Sequence, residues 1–301
     1  MPTWLLKELY SVMASVITSM CNASIAQGRF PASHKFAVLR PLLKKPHLDV
    51  TDLHSYRPIS NLSFVSKILE RVIDSRFTQH VNSFNLLSPF QSAYCEFHST
   101  EPALVKVHSD LISAVDHGNL GALVTLDFSS AFDTVDHQIF LSILQQRFGV
   151  ADSALTCQIA HILSIYRLAY PIQLLFSTVS LKDPLGPKIF IFYTEEIDEV
   201  FLTHKFSHYC FADDTQTYLD VPQSQVGAVA LQIQDYLKDV ADWCGAQRLQ
   251  LNPGKTNVMW FGSSTMLQRL SPSTASVVVD QQTITPVDTR QDPQSRCRLL
   301  L

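Results

Sequence analysis

The segment Tyr209-Cys210-Phe211-Ala212-Asp213-Asp214-Thr215-Gln216-Thr217-Tyr218-Leu219 holds two strand-like runs separated only by Asp213-Asp214. Aromatic and β-branched side chains on either side of so short a polar gap spell a β-hairpin with the two aspartates at its tip. A second run, Ala122-Leu123-Val124-Thr125-Leu126, reads as a buried strand ending on Asp127. A strand end delivers a carboxylate to the edge of a sheet, where it faces solvent or a metal. Three carboxylates from two neighbouring strands can chelate two Mg²⁺ ions about 3.5–4 Å apart, the arrangement that supports in-line phosphoryl displacement. Mg²⁺ demands oxygen ligands, so carboxylates are the right type. An Asp-Asp pair in a turn also arises from ordinary turn chemistry, and the pattern by itself leaves both readings open.

Helical patterns surround these strands. Leu6, Leu9, Met13, Val16, Ile17 and Met20 recur at three- and four-residue steps, and Gly28 can stop that helix in a left-handed cap. Pro31, Pro41, Pro46 and Pro58 punctuate short strands and turns around residues 36–39. A helix over Ser63 to Val81 carries Ile68, Leu69, Val72, Ile73 and Phe77 on one face. In the next, Thr100 can cap, Pro102 sits in the first turn and Gly118 lies past the end, with Leu104, Val107, Leu111, Ile112 and Val115 as the apolar stripe. A further helix runs from about Asp136 to Phe148, stopped by Gly149. After the hairpin, Val226, Val229, Ile233, Leu237, Val240 and Cys244 face inward from one long helix. Beyond Ser263 periodicity fades into Ser, Thr, Gln and Pro, and the tail 263–301 is expected to be poorly ordered.

Composition narrows the classes. With 301 residues, 46% apolar, the chain can bury the core of one large domain or two lobes. No apolar run approaches the roughly 20 residues that span a bilayer, and the start has no secretory pattern. The expectation is an intracellular protein, cytoplasmic or nuclear, neither secreted nor membrane-bound. Six scattered cysteines form no Cys-x-x-Cys pair and read as buried free thiols, and the eleven histidines are equally dispersed. A net charge of −4 is unusual for a protein that grips phosphate, but the distribution is uneven. Residues 28–76 hold nine basic against four acidic side chains, a net +5, leaving −9 on the remainder. Such a division suits phosphate binding in one region and metal binding in another, and also suits a merely solvated surface.

Phe211-Ala212-Asp213-Asp214 resembles the (Phe/Tyr)-x-Asp-Asp box of reverse transcriptases. Asp127-Phe128-Ser129-Ser130-Ala131-Phe132-Asp133-Thr134-Val135-Asp136-His137 is similar to the first catalytic motif of Jockey-like LINE (non-LTR) retrotransposons. Tyr56-Arg57-Pro58-Ile59-Ser60-Asn61-Leu62 resembles their opening fingers motif, and Gln91-Ser92-Ala93-Tyr94 with His98-Ser99-Thr100-Glu101 the next. Leu251-Asn252-Pro253-Gly254-Lys255-Thr256 resembles the late palm motif with its lysine. Five such words stand in the right order across residues 28–262. The resemblance implies an α+β palm-and-fingers fold with an antiparallel palm sheet backed by helices. It places an N-terminal helix or linker at 1–27, fingers at about 28–118 and palm at about 119–262. It implies RNA-directed DNA polymerisation on an RNA template and DNA primer with deoxynucleotide triphosphates. Asp127, Asp213 and Asp214 would hold two Mg²⁺ ions, or Mn²⁺, with Asp214 the weaker ligand. Lys255 would protonate the leaving pyrophosphate or neutralise its charge. Arg57 would contact phosphates, with a structural ion pair as the rival reading. Phe132 would exclude a ribose 2′-hydroxyl, with ordinary core packing as the rival.

Two departures fall on substrate handling. The family carries Gly-Val-Pro-Gln-Gly-Ser-x-Leu-Gly-Pro-Leu-Leu-Phe between the aspartate motifs. Here Val179 to Phe190 keeps Leu185-Gly186-Pro187 but lacks the Pro-Gln-Gly-Ser portion. Cys95 stands where the fingers motif usually has arginine. The endonuclease that LINE polyproteins place upstream and a full thumb downstream are expected to be missing. These features point to an impaired copy. The alternative is a catalytically dead nucleic-acid-binding remnant, and a third reading, an unrelated Mg²⁺ phosphohydrolase, leaves the fingers words unexplained.

Overall fold

The computed structural model describes residues 7–29, 31–34, 38–61, 63–95, 98–128, 135–150, 159, 185–252, 254–271, 273–279, 282–284, 287–288 and 297–300. The principal elements begin with α1 (Tyr10–Gln27), β1 (Val38–Leu43), β2 (Tyr56–Asn61), α2 (Phe64–Ser83), α3 (Thr100–Asp116), β3 (Leu120–Leu126) and α4 (His137–Gln146). They continue with α5 (Leu185–Thr194), α6 (Ile197–Thr203), β4 (Ser207–Phe211), β5 (Asp214–Val221), α7 (Val226–Ala246) and β6 (Asn257–Phe261). Helix α8 (Ser264–Gln268) and strands β7 (Val277–Val279), β8 (Gln282–Ile284), β9 (Val287–Asp288) and β10 (Cys297–Leu300) follow. No helix among the described residues is long and apolar enough to cross a membrane.

The chain divides into two compact units. The first comprises Met1–Leu86 and Phe132–Ile189. Its helix α1 ends as the glycine requires, with Gly28 at φ 59° and its N–H donating to Ile25 O. Helix α2 starts on Ser63, whose hydroxyl accepts from Ser66 N at 3.2 Å, one turn-end donor satisfied locally. Leu69, Ile73, Phe77 and Val81 recur at four-residue steps and are buried, while Ile68 and Val72 of the expected face are only half-buried. Asp136 caps α4 by accepting from Gln138 N and Ile139 N. The α2 and α4 segments meet through Phe77 and Phe148, ring centroids 6.0 Å apart, and through His80 Nε2 at 2.7 Å from Phe148 O. Lys188 Nζ donates to Asp74 at 2.8 Å and to Thr78 Oγ1 at 3.0 Å, a largely buried ion pair. Strands β1 and β2 form an antiparallel pair, Val38↔Asn61 through Leu43↔Tyr56.

The second unit comprises Leu87–Ala131 and Phe190–Leu301. Its sheet has the order β4-β5-β3-β6-β10-β9. The first four strands are mutually antiparallel, and β10 then pairs parallel with both β6 and β9. Helices accompany an antiparallel sheet, so the architecture is α+β. Strand β3 is central and buried almost throughout, which is why it reads as a continuous apolar run. All six inward residues expected on the long helix α7, Val226 to Cys244, are buried. Helix α3 differs from expectation. Ser99 precedes it as the cap residue, and its buried face is Ala103, Val107, Leu111 and Ala114, leaving Leu104 and Ile112 exposed. Steps of three and four residues through 103, 107, 111 and 114 put Leu104 and Ile112 about 100° round the helix. Of the tail 263–301, expected to be poorly ordered, the described residues contain α8 and four short strands, because Val277-Val278-Val279 and Cys297–Leu300 find pairing partners.

Helix α3 is fastened to the sheet by apolar contact and one polar tie. Val107, Leu111, Leu123 and Tyr218 form a buried cluster, with Tyr209, Met259 and Phe261 packed against it. Tyr218 donates its hydroxyl to Asp110 Oδ2 at 2.5 Å, and Lys106 pairs with the same carboxylate. Leu123→Ala should lower unfolding free energy by about 2–5 kcal/mol, because the site cannot collapse around the void. Tyr218→Phe should cost only about 1 kcal/mol, since Asp110 keeps Lys106 and partial solvent access. Urea unfolding curves check both, and equal losses would contradict this division of labour.

Candidate active site

The sheet register assembles the candidate site. Strands β3 and β5 pair from Leu120↔Val221 to Leu126↔Thr215, so the next step sets Asp127 beside Asp214. Strand β4 pairs with β5 up to Phe211↔Asp214, leaving Ala212-Asp213 as a two-residue loop. The tip is therefore one residue earlier than the sequence suggests: Asp213 lies in the loop, while Asp214 opens β5 and is exposed. Two-residue hairpin loops require a left-handed first residue, and Ala212 adopts φ 59°.

The far side of Asp127 is fixed by the segment after α7. Asn252 N donates to Asp127 O at 2.8 Å, and Phe128 forms an isolated antiparallel bridge with Leu251. Asn252 then organises the turn: its Oδ1 accepts from Gly254 N, and its carbonyl accepts from Lys255 N and Thr256 N. That turn carries Lys255 Nζ to 3.2 Å from Asp127 Oδ2. Lys255 is 68% exposed, so solvent screens the pair and the tie is weak. The ammonium stands off the hydrogen-bonding direction, and among the described residues the buried Oδ2 accepts no hydrogen bond.

Burial raises the Asp213 carboxyl above the ordinary carboxylate range, and the Asp214 and Asp127 charges raise it further. Its own backbone N–H and Lys255 act in the opposite direction. The four sequence-selected residues Asp127, Asp213, Asp214 and Lys255 thus share one electrostatic neighbourhood. Among the described residues, however, no three His, Cys, Asp or Glu side chains stand close enough to hold a metal ion. The carboxylates are neighbours without being a closed ligand set. A buried carboxylate oxygen that accepts no hydrogen bond and a second carboxyl raised by burial and by two neighbouring carboxylates together mark a place where a cation would be favoured. The all-oxygen donor set suits Mg²⁺ or Mn²⁺.

Two side chains stand here that the sequence reading quoted without assigning a role. Gln91 Oε1 accepts from Ala93 N at 3.0 Å and Ala212 N at 3.1 Å, and Gln91 Nε2 donates to Ala212 O at 3.4 Å. Tyr94, at φ 59° and half exposed, has its phenol raised by burial and then by the Asp213 charge. Neither carries the charge pattern that flags a site from sequence. Arg57 lies in β2, paired with Leu42, and its side chain is outside the described residues. Phe132 and residues 179–184 are also outside them. Leu185-Gly186-Pro187 opens α5, with Pro187 in the first turn. Cys95, half-buried, directs its thiol to Gln91 O at 3.6 Å.

The family described as reverse transcriptase (RNA-dependent DNA polymerase) matches residues 43–285. The chain is 28% identical over 270 residues to a probable RNA-directed DNA polymerase from transposon BS of Drosophila melanogaster, over 86% of this chain and 29% of that protein. It is 26% identical over 282 residues to the probable RNA-directed DNA polymerase from transposon X-element of the same organism, over 89% of this chain and 29% of that protein. It is 24% identical over 258 residues to the RNA-directed DNA polymerase from mobile element jockey of Drosophila melanogaster, over 81% of this chain and 27% of that protein. The chain spans under a third of the length of these relatives.

The raised Asp213 carboxyl has a consequence for stability. A carboxyl raised in the folded state stabilises the fold while protonated, below the ordinary value of about 3.9, and loses that contribution as pH rises through the folded-state value. In chelator at pH 7, Asp213→Asn should therefore raise the melting temperature, by a few degrees at most. The gain should vanish towards pH 4. Melting curves across that range check it, and a variant equally destabilised at both ends contradicts the charge crowding.

Proposed function

Because the chain belongs to the reverse transcriptase family, we propose that it is the polymerase domain of a Jockey-like non-LTR retrotransposon and that its chemistry is RNA-directed DNA synthesis. The observation that carries this reading is the register that sets Asp127 beside Asp214 and the Ala212-Asp213 turn, two family motifs 86 residues apart in sequence. Asp127 and Asp213, with Asp214 at the more open position, would hold two Mg²⁺ or Mn²⁺ ions. Bound there, such ions lower the pKa of a primer hydroxyl and stabilise the charge on the triphosphate and leaving group.

The protein's own groups do the rest. The Asn252 turn holds Lys255 against Asp127, where its ammonium offsets carboxylate charge before substrate enters. With a triphosphate in place, the same ammonium can turn to the leaving pyrophosphate and donate a proton or neutralise charge. Its exposed, lightly tethered position supports that role, since a cation locked in a buried pair could not turn. Phe132 guards against a ribose 2′-hydroxyl, and Arg57 with the basic stretch 28–76 contacts template or nucleotide phosphate. The partners are an RNA template, a DNA primer and deoxynucleotide triphosphates.

This copy is impaired in substrate positioning and keeps its metal-binding carboxylates. The missing Pro-Gln-Gly-Ser portion would line the nucleotide pocket, and Cys95 replaces a phosphate-facing cation. Positioning supplies much of phosphoryl-transfer catalysis, so losing it removes turnover while leaving affinity for cations and nucleic acid. The same observations support a second reading, a nucleic-acid-binding remnant without turnover.

Primer extension by the purified chain should sit near background, while Mg²⁺ or Mn²⁺ raises its melting temperature through preferential binding to the folded state. Asp213→Asn should weaken that stabilisation. Rebuilding Pro-Gln-Gly-Ser together with Cys95→Arg should restore extension, and Lys255→Ala in the repaired chain should then lower kcat by about 100-fold or more. Robust extension by the unmodified chain refutes the impairment. Stabilisation by divalent cations that is indifferent to Asp213 refutes the metal assignment.

A further inference from the structure

We propose that Gln91 is a positioning residue of this site: its carboxamide holds the Ala212-Asp213 turn closed and so fixes where the Asp213 carboxylate stands. The proposal rests on the polymerase reading above for what the carboxylate does, though not for the clamp itself.

The turn needs holding. Ala212 sits at φ 59°, where a β-carbon crowds the backbone and glycine is the usual occupant. The last strand pair below it is Phe211↔Asp214, so strand pairing ends beneath the loop and leaves the Ala212 N–H and C=O to find partners elsewhere. One side chain takes both. Gln91 Oε1 accepts from Ala212 N at 3.1 Å and Nε2 donates to Ala212 O at 3.4 Å, from 121 residues away in sequence. The amide cannot be reversed without loss, because Oε1 also accepts from Ala93 N at 3.0 Å. Two N–H donors converge on one end of the carboxamide, and that end must be the oxygen.

The clamp is itself anchored. Cys210 N donates to Phe90 O at 2.8 Å and Ser92 N donates to Cys210 O at 3.1 Å, so residues 90–92 run beside β4 as a short parallel addition bridged at Gln91 and Cys210. A cavity of about 20 Å³ lined by Gln91, Phe128, Cys210, Ala212 and Thr215 has room for one water. Backbone movement of the turn is thus restrained across its first residue by the carboxamide. The chain beyond Gln91 turns sharply through Tyr94, also left-handed, which brings the phenol within electrostatic reach of Asp213. One short segment thus holds the loop residue before Asp213 and carries a phenol that feels the Asp213 charge.

A glutamine that merely satisfies its own polar atoms would leave the turn and the cation site indifferent to its replacement. The test compares the wild-type chain with Gln91→Met, which keeps the length and loses every hydrogen bond, and with Gln91→Glu, which keeps the acceptor for Ala212 N. Native-state hydrogen exchange is read at Ala212 and Asp213, and at Thr217 and Tyr218 in β5. The midpoint of Mn²⁺-dependent thermal stabilisation is read alongside. Gln91→Met should speed exchange at Ala212 by about tenfold or more, with the β5 amides within about twofold of wild type. It should also raise the Mn²⁺ midpoint about fivefold or more, since a carboxylate left to wander is a poorer ligand. Gln91→Glu should recover the protection of Ala212. Unchanged exchange at Ala212 overturns the clamp. Faster exchange with an unchanged Mn²⁺ midpoint, while Asp213→Asn does shift it, overturns the positioning role. If Gln91→Met fails to fold, loss of Ala212 protection in Gln91→Glu overturns the clamp and its retention supports it. If neither the wild type nor Asp213→Asn responds to Mn²⁺, the metal-site reading fails instead, and the clamp stands or falls on the Ala212 exchange.

Discussion

Strand β3 is paired on both sides, with β5 from Leu120↔Val221 to Leu126↔Thr215 and with β6 from Gly121↔Phe261 to Thr125↔Asn257. Side chains alternate along a strand, so a slip of one residue in either ladder would exchange the side chains that β3 presents to its two buried faces and spoil the packing on both. The same slip would carry Asp127 away from the hairpin or away from the Asn252 turn. Burial and chemistry are therefore set by one register, and the apolar energy of β3 enforces the position of a carboxylate that contributes nothing to that energy. Gly121 and Gly262 show how closely the neighbours approach, since a β-carbon at either would come within 2.6 Å of a leucine methyl on Leu111 or Leu120.

Against that rigid frame, the tip of the β4–β5 hairpin concentrates unfavourable features. Ala212 and Tyr94 both occupy left-handed backbone conformations, Asp213 is crowded by two carboxylates, and the buried Asp127 Oδ2 accepts no hydrogen bond among the described residues, with only the exposed Lys255 ammonium beside it. Each costs folding free energy. Their clustering at one loop, next to a sheet whose core is otherwise well filled, is the physical signature of a site organised for a ligand.

The strands and the carboxylates were readable from sequence because local pattern determines them. A buried strand ending in Asp127 and a hairpin around Asp213 need only runs of β-formers and a polar gap, and helix α7 needs only a stripe of period 3.6. The exact tip was not readable, because whether Ala212-Asp213 or Asp213-Asp214 forms the loop depends on which pair closes the ladder. Leu104 and Ile112 misled for a similar reason: a helix with apolar residues on more than one face does not announce which one meets the sheet. Gln91 was invisible as a participant, since an uncharged amide acquires a role only through a partner 121 residues away. The tail lacked periodicity because strands of two to four residues are too short to show one, and β10 finds its longer pairing with β6, far back in the chain at Cys297↔Val258.

The sheet of the second unit is also protected at both margins. On the β4 side, Phe90 and Ser92 take up the main-chain groups of Cys210. On the other side, β10 covers β6 and is itself followed, among the described residues, only by the two-residue β9 with Asp288. An open strand edge is a template for another chain, and brevity and charge are the usual protections. Strand β6, with Val258 and Trp260 fully buried, would make an adhesive margin if β10 were absent. A fragment ending shortly after Phe261 would keep Asp127, Asp213 and Asp214 and still be prone to self-association, so the closing strand protects a sheet margin remote from those carboxylates.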